Sequence, residues 1–217
     1  ISMRGKIGTI FIFSLLVLAV AFCGCAENVN PQAVPNSSTV QITDMLSRQL
    51  TVPEEISSVV ATSPPSTILV YMLAPDKLAG WNFKNNFTQP FMAENYSNLP
   101  VIGGWFGTQT GNYETIINMH PDIVIEGYTT DGEIHEAIER RQENFGNIPV
   151  VAINDSIIFV NESDPTIQYV GKLLNCEDQA KKLIEFRSSI LNEINSTVKD
   201  IPDDKKVRVY YAEGPKG

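Results

Sequence analysis

The chain has 217 residues, with 16 basic and 25 acidic side chains, a net charge of −9 and 43% hydrophobic residues. This composition is globular, so it excludes a disordered chain, a collagen-like fibre and a coiled coil as the main structure. The acidic balance argues against a nucleic-acid partner, because a protein that follows a phosphate backbone needs a basic face. Three cysteines, two of them within the first 25 residues, cannot form a disulfide framework.

Residues 1–25 have the pattern of an export signal. Two basic residues precede an uncharged, mostly apolar run at 7–22, which leads into Gly24 and Cys25. The run has ~16 residues, fewer than the roughly 20 of a stable membrane span, although a retained anchor helix stays open as the alternative. The Gly-Cys step resembles the lipobox of exported lipoproteins, which implies lipidation at Cys25. Either way, we expect the rest of the chain to lie outside the cell membrane, and residues 26–38 to form a polar tether.

The body of the chain alternates between strand and helix patterns. Repeated β-α-β units predict an α/β fold with a mostly parallel sheet flanked by helices. Apolar, β-branched runs predict a hairpin of 40–42 with 49–52, and further strands at 56–61, 77–81, 101–105, 123–125 and 149–153. Helices are predicted at 67–73, from the cap Asn112 to Met119, after the capping box Thr130–Glu133, and from the Asp164-Pro165 pair.

A long helix is predicted near the end of the chain. Residues 177–199 contain no Gly or Pro and keep a helical apolar period, which corresponds to a length of roughly 33 Å at 1.5 Å per residue. A new strand is predicted at 207–211. A strand with no following elements cannot bury both of its faces, so we expect this strand to begin a second lobe.

No constellation of catalytic or metal-ligating residues is apparent in the sequence. Of the two histidines, His120 precedes a proline and is expected in a turn, and His135 is expected on an outward helix face. Cys176 is expected to be an inert structural thiol, with a reactive thiol at a helix start as the alternative. The glycine spacing fits neither a dinucleotide fingerprint nor a P-loop. We therefore predict no enzyme, no cofactor and no metal site.

Asparagine sequons point to the surface of an exported protein. The sequence contains six Asn-x-Ser/Thr sequons, and glycosylation is their functional interpretation, with chance composition as the alternative. They lie at Asn36, Asn86, Asn95, Asn154, Asn161 and Asn195.

Several stretches in order resemble one family. These are TDMLSR at 43–48, VVATSPPST at 59–67, LAPDKLAGW at 73–81, LPVIGGW at 99–105, NYETI at 112–116, HPDIVI at 120–125, IPVV at 148–151 and the strand at 207–212. Together they look like the iron-complex and cobalamin-type substrate-binding proteins of ABC importers, over about residues 39–217. The family usually has Gly where Ser47 stands.

The resemblance implies a class III binding-protein fold, in which a long helix joins two α/β lobes and the ligand lies between them. The expected division is a signal at 1–25, a tether at 26–38, an N-terminal lobe at 39–175, a bridging helix at 176–201 and the start of the second lobe at 202–217. The implied function is a monomeric, lipid-anchored extracytoplasmic subunit that passes a ferric siderophore, haem or cobalamin to a permease and its ATPase. An exported α/β enzyme and a surface recognition protein without transport remain the alternatives.

Candidate site residues follow from the strand ends. Ligands of open α/β sheets lie at the carboxyl ends of the strands. Three aromatic side chains there are expected to stack on a flat ligand or chelate, and four polar ones to hydrogen-bond it. The aromatic residues are Trp81, Trp105 and Tyr128, and the polar ones are Ser63, Ser66, Asn82 and Asn154.

In relatives an acidic residue docks on the permease, and Glu114 is the matching candidate here. The alternative is that Glu114 only interacts favourably with the dipole of its own helix.

Overall fold

The computed structural model describes residues 38–84, 92–106, 110–128, 134–155 and 163–211. The described residues belong to one compact unit. The predicted export signal with Cys25, nearly all of the tether, and the capping box at Thr130 and Glu133 lie outside them. No helix in the described ranges combines the length and the apolar character of a membrane span.

The predicted hairpin is confirmed. Strand β1 (Thr39–Thr43) pairs antiparallel with β2 (Gln49–Pro53). The turn between them places Ser47 at a φ of 63°, a left-handed conformation. Such a backbone favours glycine, so a serine here adopts a conformation that costs a residue with a Cβ more than it costs glycine.

A parallel sheet forms the centre of the lobe, as the sequence predicts. Strands β3 (Val59–Ala61), β4 (Ile123–Tyr128) and β5 (Val150–Asn154) lie in the order β3-β4-β5. Buried β-branched residues dominate all three strands, which is typical of a sheet covered on both faces.

Helices cover both faces of this sheet. They are α1 (Pro64–Leu73), α2 (Glu94–Ser97), α3 (Tyr113–Asn118), α4 (Ile134–Phe145), α5 (Ser163–Leu173) and α6 (Glu177–Val198), with single 3₁₀ turns at Pro75–Lys77 and Asp203–Lys205.

Alternation along the strands divides the core in two, because successive side chains point to opposite faces. One apolar cluster joins Val59, Ile125 and Val151 to residues of α1 and α5. The other joins Val60 and Val124 to residues of α3 and α4. The predicted α/β architecture with helices on both faces is confirmed.

Two predicted strands are reduced to single bridges. Residues 77–81 and 101–105 pair only through the parallel bridges of Val59 with Leu78 and of Trp81 with Val101. The prediction of full strands there was therefore wrong. Two features of the local sequence interrupt a ladder: Pro100 has no N–H, and Gly103 adopts a positive φ of 72°.

The strand predicted at 56–61 and the helix predicted at 67–73 have different starts in the structure. The strand begins only at Val59, because the N–H groups of Ser57 and Ser58 bind the Asp122 carboxylate instead of a neighbouring strand. Helix α1 begins earlier than predicted, at Pro64. Prolines at the first helical positions lose nothing by lacking an N–H, so the Pro-Pro pair opens the helix rather than breaking it.

The later helices follow the prediction closely. The cap Asn112 accepts a hydrogen bond from the Thr115 N–H at 3.0 Å, at the start of α3. The predicted long helix is α6, which runs from Glu177 to Val198. Asp164, predicted as the cap of the next helix, lies instead within the first turn of α5. Its carboxylate binds the Arg187 guanidinium at 2.6 Å.

The strand predicted at 207–211 does not form. These residues have no regular secondary structure, and Val207, Val209, Tyr210 and Tyr211 are at least 80% exposed. A strand needs a hydrogen-bonded neighbour, and the described residues place none beside this segment.

The hairpin turn closes the outer edge of β5. The Met45 N–H donates to the Ala152 carbonyl at 3.2 Å, and the Ala152 N–H donates to Asp44 Oδ2 at 3.2 Å. Arg48 Nη2 donates to the Val150 carbonyl at 2.7 Å. An open strand edge would be a template for aggregation, so these contacts protect the sheet.

Candidate functional site

The carboxyl edge of the sheet brings two predicted site residues together around a carboxylate. Ser63 caps α1, and its Oγ donates to Asp155 Oδ2 at 2.7 Å. Ser66, in the first turn, donates to the same oxygen at 3.4 Å. Both serines are buried, and Asp155 is only 7% exposed. The predicted polar pair therefore binds the protein's own carboxylate in this structure.

Gly127 makes the approach of Asp155 possible. A Cβ atom at this glycine would lie 2.0 Å from Asp155 Oδ2 and 2.4 Å from Ser66 Oγ. Real Cβ atoms do not come so close to other atoms, so the cluster requires a residue without a side chain on β4. The arrangement of Asp155, Ser63 and Ser66 is thus built into the strand sequence.

Burial and hydrogen bonding act in opposite directions on the pKa of this carboxyl. Desolvation raises the pKa of Asp155 above the ordinary value, and the hydrogen bonds from Ser63 and Ser66 oppose that rise. Asp155 was not among the predicted site residues, although it follows the predicted site residue Asn154 directly. Its only sequence signal was its position just after a buried strand.

Asn82 and Trp81 connect loops within the lobe. Asn82 Nδ2 donates to the carbonyls of Ala61 and Gly103, at 2.9 and 2.8 Å, and its Oδ1 accepts from Thr67 at 2.6 Å. Trp81 is 6% exposed, and its indole N–H donates to the Tyr96 carbonyl at 2.8 Å. In this structure both side chains are buried among residues of the lobe.

Trp105 is held by a cluster of aromatic and charged groups. The Arg141 guanidinium carbon lies 3.8 Å from the centroid of the Trp105 ring, a cation–π geometry. The rings of Tyr113 and Phe145 lie 4.6 and 5.9 Å away. A Cβ atom at Gly111 would meet the indole at 2.7 Å, so that glycine packs directly on the ring. The half-buried indole is therefore fixed in position next to the strand ends.

The same arginine forms a buried ion pair with Glu126. Arg141 Nε donates to Glu126 Oε2 at 3.1 Å, Nη2 to Oε1 at 3.3 Å, and Nη1 to the Tyr113 hydroxyl at 2.7 Å. Desolvation raises the pKa of Glu126, and the attraction of Arg141 only partly offsets this. Neither Glu126 nor Arg141 was among the predicted site residues, because the sequence shows no signal that they meet.

Tyr128 and Asn154 are register partners at the ends of β4 and β5. The Tyr128 hydroxyl donates to the Met45 carbonyl at 3.1 Å, so this half-buried ring contacts the hairpin turn. Burial raises the pKa of Tyr128, with a further contribution from the charge of Asp44. The Asn154 carbonyl accepts from Thr166 Oγ1 at 2.7 Å. Their roles as ligand contacts, like those of the other site residues, remain predictions.

Apolar side chains at this edge remain on the surface. Phe83 is 46% exposed and Phe106 is 53% exposed. Each follows a predicted site residue directly, Asn82 in one case and Trp105 in the other. Phe83 also lines a small cavity of about 40 Å³ together with Ile68, in the middle of α1. A larger groove of about 720 Å³ lies elsewhere, between the hairpin and the end of α5.

The remaining candidates lie on other surfaces. Glu114 is exposed in the first turn of α3. Asn95 and Asn195 are exposed on α2 and α6. Burial raises the pKa of the Cys176 thiol, which agrees with its interpretation as a structural cysteine. In the described part of the chain, no three His, Cys, Asp or Glu residues converge as metal ligands.

The lobe matches solved structures of solute-binding proteins. An ABC transporter solute binding protein from Sulfurospirillum deleyianum superposes with a TM-score of 0.68 at 26% identity, over 80% of this chain and 54% of that chain. The molybdate-binding protein MolA of a Haemophilus influenzae ABC transporter has a TM-score of 0.59 at 20% identity, over 78% of this chain and 56% of its own. The haem binding protein HmuT has a TM-score of 0.55 at 19% identity, over 76% and 50%.

The match of this α/β lobe to a solved solute-binding protein at 26% identity places the chain in the solute-binding class of proteins. The sequence profile described as "Periplasmic binding protein" matches residues 59–217, so the chain belongs to the periplasmic binding protein family. Members of this family bind solutes outside the cytoplasm and are not enzymes. The chain spans about half the length of the solved structures it matches. No curated protein matches the sequence.

Proposed function

We propose that this protein captures a ferric siderophore, haem or a corrinoid outside the cell and delivers it to an ABC importer. One observation carries the choice of ligand class: exposed phenylalanines, Phe83 and Phe106, lie at the edge of the sheet where ligands of such folds bind. A flat organic ligand gains most from aromatic contacts of this kind. Trp105, fixed between its neighbours, adds a third ring to the same edge.

Binding of these ligands by the intact protein tests the proposal. We expect ferric siderophores, haem or cobalamin to quench the tryptophan fluorescence of the full-length protein with saturation. Phe106→Ser should weaken the binding roughly tenfold or more, because buried aromatic anchors carry much of the energy of an interface. Val40→Ser, which removes an exposed apolar side chain from the hairpin, is the matched control and should leave the affinity unchanged. No saturable response to any ligand of the panel would reject this ligand class.

The apolar face of α6 supports the proposed arrangement of domains. Ala180, near its start, packs against Gly171 of α5, where an added Cβ would lie only 2.5 Å from the Ala180 Cβ. Further along, apolar side chains at four-residue spacing are exposed, with Phe186 at 64%. The others are Ile190, Ile194 and Val198. We propose that residues 176–201 bridge the N-terminal lobe at 39–175 to a second lobe beginning at 202–217, which covers this face.

Glu114 is the proposed contact with the permease. Its carboxylate is exposed in the first turn of α3 and so is accessible to basic residues of a partner. The ATPase of the importer would then act through the permease.

We propose a monomeric subunit that is exported by residues 1–25 and anchored through a lipid on Cys25. The tether at 26–38 would hold the lobe away from the membrane, and exposed sequons such as Asn195 would be glycosylated.

Charge reversal at Glu114 should separate transport from binding. Glu114→Arg is expected to lower uptake at least tenfold, because like charges across an interface disfavour docking, while ligand affinity stays unchanged. Glu139→Arg, an equally exposed glutamate of α4, is the matched control. Uptake of the labelled ligand by cells and fluorescence titration of the purified variants measure the two quantities. Equal uptake by wild type and Glu114→Arg would reject the docking role.

A further inference from the structure

The N-terminus of α1 lies at the carboxyl edge of the sheet, directly after β3. The first four N–H groups of a helix have no partner within it, and the helix dipole adds partial positive charge. In α/β folds such a position is therefore a ready anion site. In this lobe, two features prevent the N-terminus of α1 from binding an anion.

The first feature is the lack of free N–H groups. Pro64 and Pro65 occupy the first two helical positions and have no N–H to offer. The Ser66 N–H donates to Ser63 Oγ at 3.4 Å. Of the four N–H positions, only that of Ser63 itself is left, which is too few to cradle an oxyanion.

The second feature is a carboxylate already placed at this helix end. Asp155 Oδ2 accepts hydrogen bonds from the cap residue Ser63 and from Ser66, at 2.7 and 3.4 Å. It thus occupies the position that an anionic ligand would take. The absence of a side chain at Gly127 is what admits it.

Among the residues that the structure describes, no basic side chain contacts Asp155, which accepts its side-chain hydrogen bonds from Ser63 and Ser66. Glu126, one strand away, is a second carboxylate and interacts unfavourably with it. The guanidinium of Arg141 binds both oxygens of Glu126, at 3.1 and 3.3 Å, and so is not available to Asp155. The edge of the sheet therefore repels a free oxyanion.

We propose that Asp155, together with the Pro64-Pro65 start of α1, is a specificity determinant that excludes free oxyanions from this lobe. The solute then presents a neutral or cationic part to the N-terminal lobe. This inference rests on the proposed function, because it concerns the same binding edge. The structural neighbour MolA, by contrast, is a molybdate-binding protein.

Calorimetric titration of the full-length protein with sodium molybdate and sodium sulfate tests the inference. Wild type should show no saturable binding up to about 1 mM of either anion. The variant Pro64→Ser/Pro65→Ala/Asp155→Asn restores two N–H groups and removes the carboxylate, so it should bind molybdate at least tenfold more tightly than wild type. Asp178→Asn, in the first turn of α6, is the matched control and should behave as wild type.

Two results would overturn the inference. One is saturable binding of molybdate or sulfate by wild type with a Kd of about 1 mM or tighter. The other is a triple variant with a native circular dichroism spectrum that binds no better than Asp178→Asn. If the triple variant does not fold, Asp155→Asn alone replaces it, with the same comparison. Titrating the same proteins with haem and cobalamin keeps the two proposals separate: failure of those ligands rejects the proposed function, whereas the oxyanion results decide the role of Asp155.

Discussion

Asp44→Ala is expected to destabilise the lobe by about 3–5 kcal/mol, the usual cost of leaving a buried charge without its partner. The Asp44 side chain is fully buried and binds Arg48 at 2.7 Å. Its other oxygen accepts the N–H groups of Leu46 and Arg48, at 3.0 and 2.9 Å, and thereby shapes the hairpin turn. The substitution would leave those N–H groups and the Ala152 N–H without their acceptor, and would leave the Arg48 guanidinium with the Val150 carbonyl but without its ionic partner.

A second ion pair with the same sequence spacing provides the control. Glu136 and Arg140 also pair across four residues, but both side chains are more than 60% exposed. Glu136→Ala should therefore cost less than about 0.5 kcal/mol. Urea unfolding of both variants measures the difference, and hydrogen exchange at the Ala152 amide reports whether the turn has left the sheet. If Asp44→Ala lowers the free energy of unfolding no more than Glu136→Ala does, this account is contradicted.

The role of Asp44 illustrates what sequence patterns do and do not predict. The hairpin was predicted correctly, because alternating strand residues around a polar turn are a local signal. Its docking on β5 was not predicted, because it joins Asp44 to Ala152 across more than a hundred positions. No periodicity carries information about a contact of that kind. The same limit applies to the bonds that Arg48 makes with the Val150 carbonyl.

The site shows the same division between local and distant information. The rule that ligands meet the carboxyl ends of strands selected Ser63 and Ser66, and the structure places both serines at that edge next to Asp155. It did not reveal that both serines bind Asp155, since that requires β3 and β5 to be placed on either side of β4. The burial of individual aromatic side chains could not be predicted from the sequence either. Trp81 and Phe83 are two residues apart, yet only the phenylalanine is exposed.

The region around Trp105 is stabilised by charge as well as by apolar packing. Arg141 contacts three separate segments: Trp105 in one loop, Tyr113 at the start of α3 and Glu126 on β4. An aromatic side chain beside a ligand edge needs such support, because a free indole would lose more conformational entropy when it orders on a ligand. The arginine therefore positions Trp105, although it is not itself assigned to the ligand.

Arg141→Met should consequently destabilise the lobe by about 3–5 kcal/mol at neutral pH, because the buried Glu126 carboxylate loses its only strong ionic partner among the described residues. The neighbouring Arg140→Met removes an exposed pair and should cost less than about 0.5 kcal/mol. Denaturant unfolding measures both values. The position of the tryptophan emission maximum should shift only in Arg141→Met, where Trp105 loses the guanidinium over its ring.

The pH dependence of this loss distinguishes a buried charge from simple loss of packing. Burial holds the pKa of Glu126 above its unfolded value, so the folded state binds the extra proton and the group's contribution to stability falls as pH rises through the folded pKa. The charge of Arg141 lowers the pKa of Glu126, so removing Arg141 raises that pKa further. The loss of stability caused by the buried Glu126 carboxyl then continues to higher pH. The difference in unfolding free energy between wild type and Arg141→Met should therefore be largest near pH 8. It should shrink toward about pH 4, where the Glu126 carboxyl is protonated in both folded proteins. In Arg141→Met/Glu126→Gln most of the stability should return, and the pH dependence should disappear. A difference that is the same at both ends of this pH range would show that packing, not charge, explains the loss.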